Sequence, residues 1–283
     1  MSAAGDRLGP MHQVTQMSPD ALADFKAAQR AGWAHFAPLQ MLTTEPAGRL
    51  VRFAEIRAGD RVLDVACGTG VVAVTAARRG AAVTGLDLTP ALLDVARDNA
   101  QIAGVTVDWH EGDAESLPFP ADSFDVVVSQ FGHMFAPRPD VAVSEMLRVL
   151  RPVGTIAFST WPPELFVGRL FAVTSKYMPP PPAGVAPPPL WGDPAVVRER
   201  LGDRVRDLRF DRETMIVPAL SVGHQRESLE RSAGPVIRLV EMLRASDPAA
   251  LDTYRRECEA VIAEFLADNT LRQGYLMTRA IKA

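Results

Sequence analysis

The segment Asp64-Val65-Ala66-Cys67-Gly68-Thr69-Gly70 sets two glycines just after a short apolar run, with a carboxylate four residues before the first of them. Gly68-Thr69-Gly70-Val71-Val72-Ala73 satisfies the G-x-G-x-x-(G/A) dinucleotide spacing, which alone is a weak signal. Two further aspartates sharpen it. Asp87 closes the next apolar run, Ala82 to Leu86, and Asp113 follows the run from Val105 to His110. In neighbouring parallel strands the carboxyl ends share one sheet edge, where ligands of open α/β sheets bind. Three carboxylates then face a single crevice. A pyrophosphate would be repelled by Asp64, whereas a ligand with an ammonium, a sulfonium and no phosphate would be attracted.

S-adenosylmethionine is a ligand of that kind. Its amino-acid part can sit on the glycine loop, Asp87 can accept from both ribose hydroxyls, and Asp113 can accept from the adenine amino group. Each aspartate taken singly also suits a helix cap or a turn. Three at successive strand ends favour the cofactor.

The elements that must position these residues are legible in outline. Ser18-Pro19-Asp20 reads as a capped helix start running toward Gly32, and a second helix is expected from Pro46 to Phe53. The first strand is Val62 to Ala66. From there strand and helix alternate: Val71 to Arg79 helical, Ala82 to Leu86 strand, Pro90 to Ala103 helical, Val105 to His110 strand, Phe124 to Ser129 strand, Val141 to Leu150 helical, Thr155 to Thr160 strand. That alternation implies βαβ units and a parallel sheet covered on both faces. Tyr177 to Leu190, with prolines 179–182 and 187–189, reads as an extended surface segment. Val205 to Val217 is strand-like in parts, Glu227 to Phe265 is mostly helical, and Gly274 to Ala280 alternates as a last strand returning to the sheet edge.

Six pieces in order carry a resemblance: Val62 to Gly70 (VLDVACGTG), Asp87 to Thr89 (DLT), Gly112 to Phe119 (GDAESLPF), Phe124-Asp125, Ser129 to Gly132 (SQFG) and Leu147 to Gly154 (LRVLRPVG). Over roughly residues 60–160 the chain resembles the class I S-adenosylmethionine-dependent methyltransferases of the ubiquinone/menaquinone-biosynthesis-like branch (methyltransferase type 11). The resemblance implies that Asp64, Ala66, Gly68, Thr69 and Gly70 surround the methionine moiety. It sets Asp87 and Leu88 at the ribose and adenine, Asp113 and Ala114 at the adenine rim, and Gln130 beside the sulfonium. It also makes the stretch with Trp33, His35 and Phe36 part of a segment covering the cofactor.

Two positions depart from the pattern. Val153 stands where a second glycine is usual before Gly154, and a type I turn with Pro152 at its second position would tolerate it. His133 stands where an apolar residue is expected, in the loop after the fourth strand. Because an unperturbed imidazole titrates near 6.5, His133 is a candidate general base for the accepting atom. A solvated or hydrogen-bonded structural histidine is the competing reading. Asp125, at the opposite end of the fourth strand, reads as structural, and Cys67 as a small loop residue. Trp161-Pro162-Pro163 resembles the proline-rich motif of nucleic-acid amino-methyltransferases, but it follows the wrong strand.

The expected fold is therefore α/β: a doubly wound, seven-stranded, mostly parallel Rossmann-like sheet with an antiparallel last strand, plus a helical cap. The chain divides into an N-terminal helical lid segment (1–55), the S-adenosylmethionine-binding core (56–163) and a Pro-rich connector (164–204). Residues 205–283 supply the remaining core strands with inserted substrate-cap helices. Composition agrees with a folded globular chain, since 47% of the 283 residues are hydrophobic and 23% charged. Thirty Lys and Arg against 34 Asp and Glu, without a dense basic run, argue against nucleic acid as a partner. No stretch reaches the roughly 20 apolar residues of a membrane span, and the polar start with Asp6, Arg7 and Pro10 lacks a signal-peptide core. The expectation is a cytoplasmic protein. Cys67 and Cys258 are too few for a disulfide framework or a Cys-based zinc site, so no metal is expected. A homodimer is compatible with the sequence.

The expected activity is in-line methyl transfer from S-adenosylmethionine to a small, fairly apolar organic acceptor. Two other readings stand beside it: an NAD(P)-dependent oxidoreductase using the same glycine pattern, and a non-catalytic S-adenosylmethionine-binding protein.

Overall fold

The computed structural model describes residues 17–182 and 184–283. The first sixteen residues, with His12 and the start of the 1–55 segment, lie outside the described residues.

Ser18 caps the first helix, its hydroxyl accepting from the Ala21 amide at 3.2 Å, and Pro19 opens the first turn. Helix α1 is Pro19–Trp33, and α2, entered through a 3-10 turn, is Gln40–Phe53. The second helix thus starts six residues before the expected Pro46. Pro46 is buried on the same face as Ala47, Leu50 and Val51, and that burial offsets the hydrogen bond a proline removes from a helix interior.

The alternation follows: β1 Arg61–Val65, α3 Val71–Ala77, β2 Ala82–Asp87, α4 Pro90–Ile102, β3 Asp108–Glu111, β4 Phe124–Gln130, α5 Pro139–Val149 and β5 Leu150–Thr160. Then come α6 Phe166–Ser175, a 3-10 helix Pro188–Gly192, α7 Pro194–Leu201, β6 Val205–Pro218 and three helices, α8 Val222–Ser232, α9 Gly234–Ser246 and α10 Pro248–Phe265. A two-residue strand β7, Leu266–Ala267, leads into β8, Thr270–Lys282.

The strands lie in the order β3-β2-β1-β4-β5-β8-β6, with β7 paired to β8 off that path. Strands β1 to β5 pair in parallel, and β8 runs antiparallel to both β5 and β6. The doubly wound expectation holds, but β8 does not finish at the edge. It slots between β5 and β6, because the long strand β6 supplies the outer partner for its exposed side.

Side-chain alternation divides the core in two. Val62, Val126, Val128 and Ala157 face α2 and α3, while Leu63, Val127, Ile156 and Phe158 face α5 and the 3-10 helix carrying Trp191. The Pro-rich segment is therefore not all surface: Pro189 and Trp191 are buried. Val153 also corrects its reading. Its φ is +62°, outside the type I range, beside an irregularity in the β4–β5 pairing. A β-branched residue there is strained.

Candidate active site

Asp64 is buried at the carboxyl end of β1, and its Oδ2 accepts from the Ala73 amide of α3 at 3.0 Å. Its Oδ1 has no partner. Burial is the main cause that pushes this carboxyl from 3.8 up to about 8, and the charge of Asp87 adds to it. The loop that follows turns through left-handed backbone at Ala66, Gly68 and Gly70. Gly70 is required for a second reason, since a Cβ there would stand 2.6 Å from the ring of Trp109.

Asp87 ends β2 and ties it to that loop, accepting from the Gly68 amide at 2.7 Å and from the Thr89 amide at 2.8 Å. Burial raises this carboxyl as well, against the downward pull of those amides. Asp113 lies just beyond β3. Its Oδ1 accepts from the Glu115 amide at 2.9 Å, and its Oδ2 from the Lys26 ammonium of α1 at 2.5 Å. Lys26 also reaches the buried Glu115, at 2.6 Å, which Arg138 holds from the other side at 2.8 Å.

At the end of β4, Gln130 donates to the Thr43 carbonyl at 2.7 Å, leaving its buried Oε1 without a partner. Phe131 follows with φ +58°, and its ring stacks on Trp161 at 3.8 Å. Gly132 admits no side chain: a Cβ would meet the Ala66 carbonyl oxygen at 2.6 Å.

These strand ends open into one cavity of about 320 Å³. Among the residues expected from the sequence, Asp64, Ala66, Gly68, Thr69, Asp87, Leu88, Asp113, Ala114, Gln130 and Trp33 line it. Gly70 supports the loop from behind. His133 does not line the cavity and is a correction: it is 1% exposed, packed against Phe158 at 4.5 Å and Trp191 at 4.7 Å on the far side of the sheet end. Neither ring nitrogen has a partner. Burial, with the nearby Arg200 charge, lowers its pKa from 6.5 to about 3. The imidazole is thus held neutral, outside the cavity lining.

Asp125 pairs with Arg61 and Arg151 at the opposite sheet end, His35 is exposed, and both cysteines are free and buried. Among the described residues, no helix is long and apolar enough to cross a membrane, and no cluster of potential ligands could hold a metal ion.

The sequence pointed to substrate-cap helices within 205–283 but not to Lys26, nor to the residues of the far wall, among them Trp161, Met215, Gln273 and residues of α6, α8 and α10. Lys26 meets Asp113 across 87 positions of chain, a separation at which no spacing rule operates.

The site residues fit S-adenosylmethionine on two features of this structure. Among the described residues, Asp64 Oδ1 and Gln130 Oε1 are buried acceptors without donors, and Gly68 leaves open space where a side chain would stand.

The family model of a methyltransferase domain matches residues 63–158. An uncharacterised protein of Mycobacterium tuberculosis is 38% identical over 234 residues, 82% of this chain and 85% of its own. The demethylmenaquinone methyltransferase of Thermus thermophilus is 39% identical over 117 residues, 41% of this chain and 53% of its own. In fold the chain is similar to the YcgJ protein of Bacillus subtilis, with a TM-score of 0.56 and 23% identity over 83% of this chain and 97% of that one. The chain belongs to the class I S-adenosylmethionine-dependent methyltransferases and is an enzyme of that family.

Proposed function

We propose that this enzyme transfers the methyl group of S-adenosylmethionine to a small, apolar organic acceptor. The observation that carries the reading is the single cavity whose strand-end rim is acidic and whose opposite end is apolar and aromatic. When bound, the cofactor supplies a methyl group already activated on a sulfonium, which passes in line to the acceptor.

In this reading Asp64 holds the ammonium of the methionine moiety, with the glycine loop beneath it. Asp87 faces the ribose, while Leu88, Asp113 and Ala114 border the adenine. Gln130, tied to α2 through the Thr43 carbonyl, lies beside the sulfonium. Trp33 and the ion pair from Lys26 hold α1 across the opening and exclude water. The chain's contribution is proximity, alignment and desolvation rather than proton transfer.

The test is calorimetric titration of S-adenosylhomocysteine and, separately, NADPH into the wild type and Asp87→Ala. Binding of the homocysteine compound alone, weakened in the variant by about 1.5–3 kcal/mol as for hydrogen bonds to a charged group, supports the reading. Binding of NADPH alone would overturn it in favour of the oxidoreductase.

A further inference from the structure

The charged side chains that line the cavity are Lys26, Asp64, Asp87 and Asp113, and every one belongs to α1 or to the ends of β1, β2 and β3. Across the sheet the wall changes character. There Phe166 and Leu170 of α6, Trp161, Met215 and Val236 present apolar surface, and no Lys, Arg, Asp, Glu or His lines this half among the described residues.

Within it stand two carboxamides. Gln273 comes from the start of β8, three residues beyond the Thr160–Leu276 pair and opposite Met215, so it projects past the end of β5 into the cavity. Gln225 comes from α8. Gln273 is 5% exposed and Gln225 7%, and both side chains line the cavity. Each amide offers a donor and an acceptor to what enters the cavity. The nearby titratable groups stay neutral: burial raises the Tyr254 hydroxyl and lifts the Cys258 thiol to about 11.

We infer that the methyl acceptor is an uncharged, aromatic-sized apolar molecule bearing a hydroxyl, carbonyl or amide, which Gln225 and Gln273 recognise by hydrogen bonding. A carboxylate, phosphate or ammonium on the acceptor would enter a half-cavity without a counter-charge, at a desolvation cost that two neutral amides do not offset. The inference rests on the methyltransferase reading for the word acceptor, but the recognition itself is a binding property.

The experiment uses fluorescence or calorimetric titration of the full chain, with and without S-adenosylhomocysteine, against four probes at pH 7. These are 2-naphthol, naphthalene, 2-naphthoate and 2-naphthylmethylamine. The expected order is 2-naphthol tightest, naphthalene weaker by roughly fivefold, and both charged probes weaker by tenfold or more. Gln273→Leu and Gln225→Leu keep the volume and remove the amide. At least one of them should bring 2-naphthol and naphthalene to equal affinity without changing S-adenosylhomocysteine affinity. Absence of 2-naphthol binding, equal or tighter binding of a charged probe, or an unchanged naphthol preference in both variants and their double would overturn the inference. Failure of S-adenosylhomocysteine to bind would instead strike the functional reading, and the probe series without it still decides the recognition.

Discussion

The two halves of the cavity are built by different means. At the ends of β1, β2 and β3 the wall is backbone and carboxylate: a glycine loop, Asp64 with one oxygen free, Asp87 stapling Gly68 and Thr89, and Asp113 paired with Lys26. Past β4 and β5 the wall is side chain, contributed by helices that pack on the sheet from distant parts of the sequence. The first half needs few residues at fixed spacing. The second needs only shape, which many sequences satisfy.

The buried core outside the cavity is the place to break the molecule most severely. Trp191 is 1% exposed and packs edge-on to Phe158 of β5 at 5.5 Å. Trp191→Ala should cost about 3–5 kcal/mol of stability in chemical denaturation, while the folded fraction still binds S-adenosylhomocysteine. A smaller loss would mean that the neighbours collapse into the gap.

The charged half is sharpened by Asp64→Asn, which keeps an acceptor for the Ala73 amide and removes the charge. S-adenosylhomocysteine affinity should fall by about 1.5–3 kcal/mol, roughly ten- to 150-fold. Because burial raises the Asp64 carboxyl to about 8, the empty wild type holds a proton there at pH 7 and gives it up when an ammonium pairs with it. Calorimetry in buffers of different ionisation enthalpy should show that release in the wild type and not in the variant. The sign extends to stability. The folded state binds this proton more tightly than the unfolded chain, so Asp64 destabilises the empty protein as pH rises from about 4 to about 8. Asp64→Asn removes that decline.

Away from both halves, Val153→Gly should stabilise by about 1 kcal/mol, measured as a rise in denaturation midpoint, because φ +62° suits glycine and strains valine. A loss of stability would show that the valine side chain earns its position by packing.

The smallest effect on turnover is expected at His133. His133→Phe should leave methyl transfer unchanged, since the imidazole lies outside the cavity. Its lowered pKa, about 3, means that the unfolded chain takes the proton first, so stability is lost as pH falls from about 6.5 to about 3. The phenylalanine variant should lose that component of acid sensitivity. A fall in kcat with an unchanged Tm would restore His133 to the mechanism.

The contrast between the halves also explains what could be read in the sequence. Strands β1, β2 and β4 and helices α3 to α5 lie within a few residues of their expected limits, because apolar runs and glycine turns are local signals. Asp64, Asp87 and Asp113 were legible because each follows such a run. Helix α6 and Gln273 were not, since what brings them to the cavity is packing against β8 and β5, not a spacing in the chain. His133 misled for the opposite reason. Its residue type suggests chemistry, while its burial between Phe158 and Trp191 is a tertiary fact.

The division of labour itself is tested most directly by titrating S-adenosylhomocysteine side by side into the wild type, Asp64→Asn and Gln273→Leu. The account predicts that Asp64→Asn loses at least tenfold in affinity and that Gln273→Leu binds as the wild type does. Equal losses in both variants, or a loss confined to Gln273→Leu, would contradict the assignment of the acidic half to the cofactor.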